Sequence, residues 1–478
     1  MGFYQNLIKL IPEVQRPQQK YLSFKQKLTW TITILLSFFI LGAIPLFGLD
    51  PNFQFKFEQL SIILAQKFGT IITLGIGPIV TASIVLQLLN GAKIINFDLR
   101  STEGRKTFEG TQKLLALFFV LFEACIYVFM GGIAPPQTLQ GTSYFMYELI
   151  LIAQLILGGI LIMLMDDVVG KWGFGSGLSL FIVAGVAEEI LTQAFSPLDA
   201  SGHWALGTSQ IPIGQVWSFF IYISQSQMTN AILAAAAIIA TIVVFAMSVY
   251  GQAMKIEIPL SFGRVRGQGM RWPLKFMYAS NIPVILVAAL IANVQLFAQL
   301  FESWSIRSGN SIVTFISVHL LGQVNTATAG GGIMQFLQAP NIVGNLLTGT
   351  FTSTMLIQSL GYIIMMCAGA VLFSVLWVQT SGMDARAQAN QIISSGLQIP
   401  GFRKDPRILE QILKRYINPL TVLGGLAVGV LAATADLSGA LSRGTGILLA
   451  VTIIYKMYED IAKQHMMDMH PMMRKFME

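Results

Sequence analysis

The sequence predicts an all-α integral membrane protein of ten transmembrane helices. Three observations carry that prediction: scarcity of charge, a series of long apolar runs, and an uneven distribution of basic residues between the connections. Of the 478 residues, 54% are hydrophobic and 11% are charged, against roughly 25% charged in a soluble domain. A mean hydropathy of +0.66 over this length calls for many spans rather than one core. The runs are continuously apolar instead of alternating, which argues against a membrane β-barrel. Residues 1–27 are polar and basic, so no cleavable signal peptide is expected before Leu28.

Runs of the roughly 17–25 residues needed to span a bilayer stand near 28–48, 71–90, 113–133, 145–165, 174–195, 229–251, 276–299, 350–378, 416–435 and 445–462. Segment 213–224 is too short to span and is expected on the surface or between helices. Segment 55–69 is also too short and carries Lys56, Glu58 and Lys67; it reads as a half-helix dipping into the protein. Charge supports the count. Segments 1–27, 91–113, 166–173, 252–275, 379–415 and 456–478 hold every Lys and Arg except Lys56, Lys67, Arg307 and Arg443. Basic connections stay in the cytoplasm, so an even number of spans places both termini there.

Catalytic and metal-binding chemistry finds little support. Cys125 and Cys367 lie in apolar spans, where a structural disulfide is not expected. His465 and His470 are five apart in a terminal segment, off one helical face. The "GFGSG" of residues 173–177 lacks the strand context of a nucleotide loop and reads as a tight turn opening the next helix. No nucleophile–base set stands out, so no enzyme activity and no cofactor are expected.

The informative feature is a break. "TLGIGPIVTASIVLQLL", residues 73–89, places Gly75, Gly77 and Pro78 within an apolar run. Irregular backbone at membrane depth is tolerated only where protein or a water-filled cavity covers it. A related interruption, Asn281 and Pro283, opens "SNIPVILVAALIAN" at 280–293. Each break falls in the second span of a five-span half. Paired interruptions characterise inverted-repeat transporters, leaving a small-solute carrier or a channel between the halves. The residues around both breaks are aliphatic, including Ile76, Val80 and Ile285. Such residues suit a constriction that gates by dewetting.

Several stretches then resemble the SecY family, the large subunit of the protein-conducting translocon, and its archaeal branch in particular. They are, in order, "IPEVQRP" with "SFKQKLTW", "TLGIGPIVTASIVLQLL", "GFGSGLSLFIVAG", "IEIPLSFGRVRG", "WPLKFMYASNIPVIL", "GFRKDPRILEQILKRYINPLTV" and "GTGILLAVTIIYKMYE". Their order and spacing cover nearly the whole chain. The resemblance implies ten helices in two inverted five-helix halves around a central pore with a re-entrant plug helix. Residues 1–195 would form the first half, with the plug near 55–69. Residues 196–478 would form the second, with basic cytoplasmic loops 252–275 and 379–415.

By matched position, the resemblance implies a pore ring of Ile76, Val80, Leu178, Ile182, Ile285 and Leu449. It implies a lateral-gate polar cluster of Thr81, Glu123 and Asn293, and a plug hinge at Gly69, Gly75, Gly77 and Pro78. Arg264, Arg266 and Arg403 match basic positions that dock the ribosome. The implied partners are a SecE-type subunit, a beta/SecG-type subunit, the ribosome, signal sequences and the lipid bilayer. The implied activity is movement of unfolded polypeptides across the cell membrane, with lateral release of apolar segments into lipid.

Overall fold

The computed structural model describes residues 13–19, 22–50, 67–91, 94–95, 97, 101–136, 138–139, 141–199, 203–208, 210–262, 269–279, 282–308, 314–317, 322, 332–394, 397–398 and 406–469. Ten helices occupy the predicted runs: α1 (Phe24–Leu41), α2 (Gly77–Gly91), α3 (Thr102–Phe129), α4 (Thr142–Trp172), α5 (Gly177–Phe195), α6 (Met228–Ala253), α7 (Ile282–Ser308), α8 (Ser353–Thr380), α9 (Pro406–Leu437) and α10 (Gly444–Met469). By length and composition, α1 and α3 to α9 can cross a membrane. The other two differ for separate reasons. Helix α2 has 15 residues and is about 22 Å long at 1.5 Å per residue, short of a hydrocarbon core of about 30 Å. Helix α10 has 26 residues, but Lys456, Glu459, Asp460 and Lys463 interrupt its apolar run from the thirteenth residue onward.

Local sequence explains the helix ends. At α1 the Ser23 hydroxyl accepts from Gln26 N at 3.4 Å and Gln26 Oε1 accepts from Ser23 N at 3.2 Å, a reciprocal capping box. Ser101 caps α3 by accepting from Gly104 N at 3.0 Å. Helices α3 and α9 start about ten residues before the predicted spans at 113 and 416. A hydropathy window reads only the apolar part of a helix, whereas polar turns continue it into water. The "GFGSG" turn is capped from a neighbouring helix: Leu178 N, in the first turn of α5, donates to Asp166 Oδ1 of α4 at 2.9 Å.

Two groups of helices meet along two edges. Helix α2 packs on α3, α3 on α4, and α1 on both α4 and α5. In the second group α8 packs on α9, while α10 touches α6, α7 and α9. Glycines allow the tight α8–α9 contact: a Cβ on Gly429 would lie 2.9 Å from the Cys367 backbone. Between the groups, α2 meets α7 and α8 on one side, and α5 meets α10 on the other.

The described ends of the chain, the first turn of α1 and the last turns of α10, share a face. Lys27 Nζ donates to Gln464 Oε1 at 3.0 Å, and the Phe24 and His465 rings lie 5.8 Å apart. On that face Lys171 Nζ lies 2.6 Å from Glu13 Oε1, and Lys113 Nζ lies 2.7 Å from Asp167 Oδ2. The hydrogen bond from Lys171 holds the Glu13 carboxyl below the usual carboxylate range.

The helical architecture carries one small sheet on the same face. Connection 252–275 forms a hairpin of β1 (Lys255–Phe262) and β2 (Gly269–Lys275), with Ile258 paired to Trp272. The second basic connection contributes β3 (Leu397–Gln398), which pairs with β1 at Ser261 and Phe262. These connections share an apolar core of Ile258, Leu274, Ala389, Ile392 and Leu413. The signal is the alternation of Ile256, Ile258 and Leu260 with Lys255, Glu257, Pro259 and Ser261, a period of two.

Candidate functional site

The break before α2 is held by turn hydrogen bonds. Residues 71–76 form successive turns, not helix, while Ile72, Thr73 and Leu74 are fully buried. Ile71 N donates to Ile44 O at 3.1 Å, Thr73 N to Thr70 O at 3.0 Å, and Gly75 N to Ile72 O at 2.9 Å. The Thr73 hydroxyl accepts from Thr70 N at 3.1 Å. Turn bonds and a threonine side chain thus do what a helix would otherwise do for backbone buried at this depth.

Gly69 and Gly75 hold φ of +79° and +55°, left-handed values that cost a side chain strain. Gly77 and Pro78 then open α2, where a proline loses no helical hydrogen bond. Helix α4 presses against this segment: a Cβ on Gly158 would fall 1.8 Å from Ile71 O. Of the predicted plug, residues 55–66 lie outside the described residues. The rest is pinned: Lys67 Nζ lies 2.6 Å from Glu188 Oε1 of α5, and Leu46 N donates to Gly69 O at 2.8 Å.

The second predicted interruption is corrected. Pro283 is the second residue of α7, and the helix continues unbroken to Ser308. Proline in the first turn is compatible with helix; Asn281 lies outside the described residues. Both second spans therefore begin with a residue followed by proline, but only α2 is preceded by the buried run of turns at residues 71–76.

The predicted ring residues gather in one apolar cluster. Ile76, Val80, Ile182 and Leu449 are buried, and Leu178 and Ile285 pack against the same cluster. Above them is a cavity of about 410 Å³ lined by Val80, Leu178, Ile182 and Ile285. Its wall also carries Ser83, Gln87, Ser179, Ile453, Lys456 and Asp460. Ile76 and Leu449 sit one helical turn from the lining residues Val80 and Ile453. The cavity therefore has an aliphatic floor and a polar mouth, and α10 carries the mouth toward the face of the chain ends. Sequence reading missed the polar lining. Its signal was the four-residue spacing of Leu449, Ile453 and Met457, with Lys456 and Asp460 one turn apart on the same helix.

The predicted gate cluster also assembles. Asn293 Nδ2 of α7 donates to Thr81 Oγ1 of α2 at 2.8 Å, and Glu123 Oε1 of α3 lies 3.4 Å from the same hydroxyl. Thr81 Oγ1 also lies 2.8 Å from Gly77 O. A hydroxyl has one proton to donate, so the shorter contact to Gly77 O and the longer one to Glu123 share it. Glu123 and Asn293 are 3% and 8% exposed; this polar bridge between helices therefore sits inside apolar surroundings. Arg264, Arg266 and Arg403 lie outside the described residues.

Residues 70–458 match the family model for SecY. The chain is 42% identical over 480 residues to the protein translocase subunit SecY of Methanothermobacter thermautotrophicus, covering 99% of this chain and 98% of that one. Among solved structures it is similar to one described as a protein conducting channel, with a TM-score of 0.78 and 37% identity over 97% of this chain and 98% of that chain. It is also similar to Sec61 in the canine ribosome-channel complex from the endoplasmic reticulum, with a TM-score of 0.76, 37% identity and the same coverage. The small-solute carrier considered for the paired interruptions gives way to these matches. With the family model spanning most of the chain and a relative this similar along its full length, the chain belongs to the SecY family.

Proposed function

We infer that this chain is a protein-conducting channel, moving unfolded polypeptides across the membrane and releasing apolar segments sideways into lipid. The observation that carries this reading is the pairing of an aliphatic floor with a polar bridge at one seam. Ile76 and Val80 of α2 belong to the floor, and Thr81 of the same helix accepts from Asn293 of α7. A channel for polypeptides must exclude ions when idle, which an aliphatic constriction does by dewetting. It must also let a signal helix reach hydrocarbon, and the burial of that helix's apolar surface favours the move. The α2–α7 seam supplies the exit, with Thr81, Glu123 and Asn293 as its latch.

The finer roles follow from the same reading. Ile76, Val80, Leu178, Ile182, Ile285 and Leu449 act as the pore ring. Segment 55–69 acts as the plug, swinging on Gly69, Gly75, Gly77 and Pro78, and Lys67–Glu188 holds its root. Residues 1–195 and 196–478 act as two inverted halves, and α2 and α10 complete the ten crossings. Arg264, Arg266 and Arg403 offer positive charge to ribosomal RNA, a polyanion. The partners are a SecE-type subunit, a beta/SecG-type subunit and the ribosome. The concentration of Lys and Arg on the face of the chain ends supports cytoplasmic termini in a cell membrane.

The test is a reversible lock on the seam. In a chain with Cys125→Ser and Cys367→Ser, the changes Thr81→Cys and Asn293→Cys place thiols on α2 and α7 for a reducible bifunctional reagent. The unlocked chain, reconstituted with its partner subunits, should transport a secretory precursor. Transport should stop on cross-linking and return on reduction. Full transport through a completely cross-linked seam refutes lateral gating in this chain.

A further inference from the structure

We propose that the described part of the connection between α5 and α6, residues 196–199, 203–208 and 210–227, lies in the interfacial layer of the bilayer and forms a lipid-contacting shelf on the face opposite the chain ends. Helix α5 begins beside Phe174, whose ring lies 5.5 Å from that of Phe24. Its 19 residues carry the chain about 28 Å across at 1.5 Å per residue. The connection therefore starts on the far face.

Composition sets it apart. Residues 196–227 contain no Lys, Arg or Glu. The one acid, Asp199, is 8% exposed and accepts from His203 N at 2.9 Å within its own turn. A water-facing connection of this length ordinarily carries charge, whereas the interfacial layer favours aromatic residues.

The short helix Gln215–Ser224 is inverted relative to a water-facing helix. Ser218 is 1% exposed, its hydroxyl donating to Pro212 O at 2.6 Å. Gln215 and Tyr222 fall on the same side, three before and four after Ser218, and line a cavity of about 360 Å³ with Asn230 of α6. Trp217, Phe220 and Ile223 project outward, with Phe220 61% exposed. A helix at a water-covered surface turns its apolar stripe inward and its polar face outward. Here Gln215, Ser218 and Tyr222 turn inward and Trp217, Phe220 and Ile223 turn outward, the order expected where the outer surroundings are apolar.

Trp217 shows how the arrangement is completed. Its indole N–H donates to Phe195 O, the last carbonyl of α5, at 2.8 Å. The ring's one donor is satisfied by protein, leaving its apolar surface free to meet acyl chains. The exposed stripe is continuous with the flanking spans, where Leu191 and Phe195 end α5 and Met228 and Ile232 begin α6, all exposed. Those spans face lipid, and the shelf extends the same surface. This inference requires only that the chain spans a membrane, not that it conducts polypeptides.

An environment-sensitive fluorophore tests the proposal in the full chain reconstituted in phosphatidylcholine vesicles, with Cys125→Ser and Cys367→Ser as background. Labels are attached through Phe220→Cys, through Ile223→Cys as a second site, and through Lys106→Cys on the opposite face as a water-exposed reference. Lipid carrying a nitroxide high on its acyl chain should cut emission several-fold at positions 220 and 223 and leave position 106 nearly unchanged. Aqueous iodide should do the reverse. Strong iodide quenching at 220 and 223 overturns the proposal, because the segment would then stand in water. Protection from both quenchers also overturns it, because a protein partner would then cover the stripe.

Discussion

Asn293→Leu removes the 2.8 Å hydrogen bond from α7 to Thr81 of α2 while keeping the side chain's approximate volume. Asn293 Nδ2 donates to Thr81 Oγ1 at 2.8 Å, and Asn293 is 8% exposed. Leucine fits these apolar surroundings, so no cavity is expected. Thr81 is not orphaned, because its hydroxyl retains Gly77 O at 2.8 Å. The loss is therefore that of one interhelical bond in a membrane, about 0.6–1.7 kcal/mol. With RT near 0.59 kcal/mol, the open seam gains about 3-fold to about 18-fold in relative population. Weaker signals should then pass. The assay is export of a reporter behind signals of graded hydrophobicity, normalised to channel abundance, with the threshold shifted toward less apolar signals. Thr81→Val removes the same bond, so the double variant should shift the threshold by less than the two single shifts added. An unchanged threshold, or strict additivity, refutes the latch.

Three further outcomes follow from other parts of the molecule. Ile76→Asn combined with Val80→Asn wets the aliphatic floor and should raise resting ion conductance in planar bilayers; conductance equal to the parent would remove these residues from the seal. Gly158→Ala drives a Cβ to 1.8 Å from Ile71 O, an overpacking expected to cost about 1–3 kcal/mol; thermal unfolding in detergent should occur at lower temperature, and an unchanged midpoint would mean the buried turn yields without strain. Arg264→Glu with Arg403→Glu should weaken ribosome binding and flatten its salt dependence by about one unit of slope per lost phosphate contact; equal binding at low and moderate salt would leave those arginines a purely topological role.

The sequence by itself determined the membrane class, the position of the spans and the orientation signal, because hydrocarbon imposes length and apolarity on every span regardless of its neighbours. It marked the break at Gly75–Pro78 for the same reason: glycine and proline are read locally. Charge and hydropathy could not distinguish the run of turns that precedes α2 from the regular start of α7 at Pro283, since both spell an aliphatic run beginning with proline. Only packing decides, through Gly158 against Ile71 and the turn bonds of residues 70–75. The sheet that joins the two basic connections was hidden because strand pairing between β1 and β3 links residues more than a hundred positions apart. The polar bridge is of the same kind. Thr81, Glu123 and Asn293 are unremarkable within their own helices and could be grouped only by resemblance; tertiary structure brings three separate spans together at one hydroxyl. Local patterns fix which segments leave water, while long-range contacts fix which side chains meet, because the energy of those meetings depends on neighbours that no single window contains.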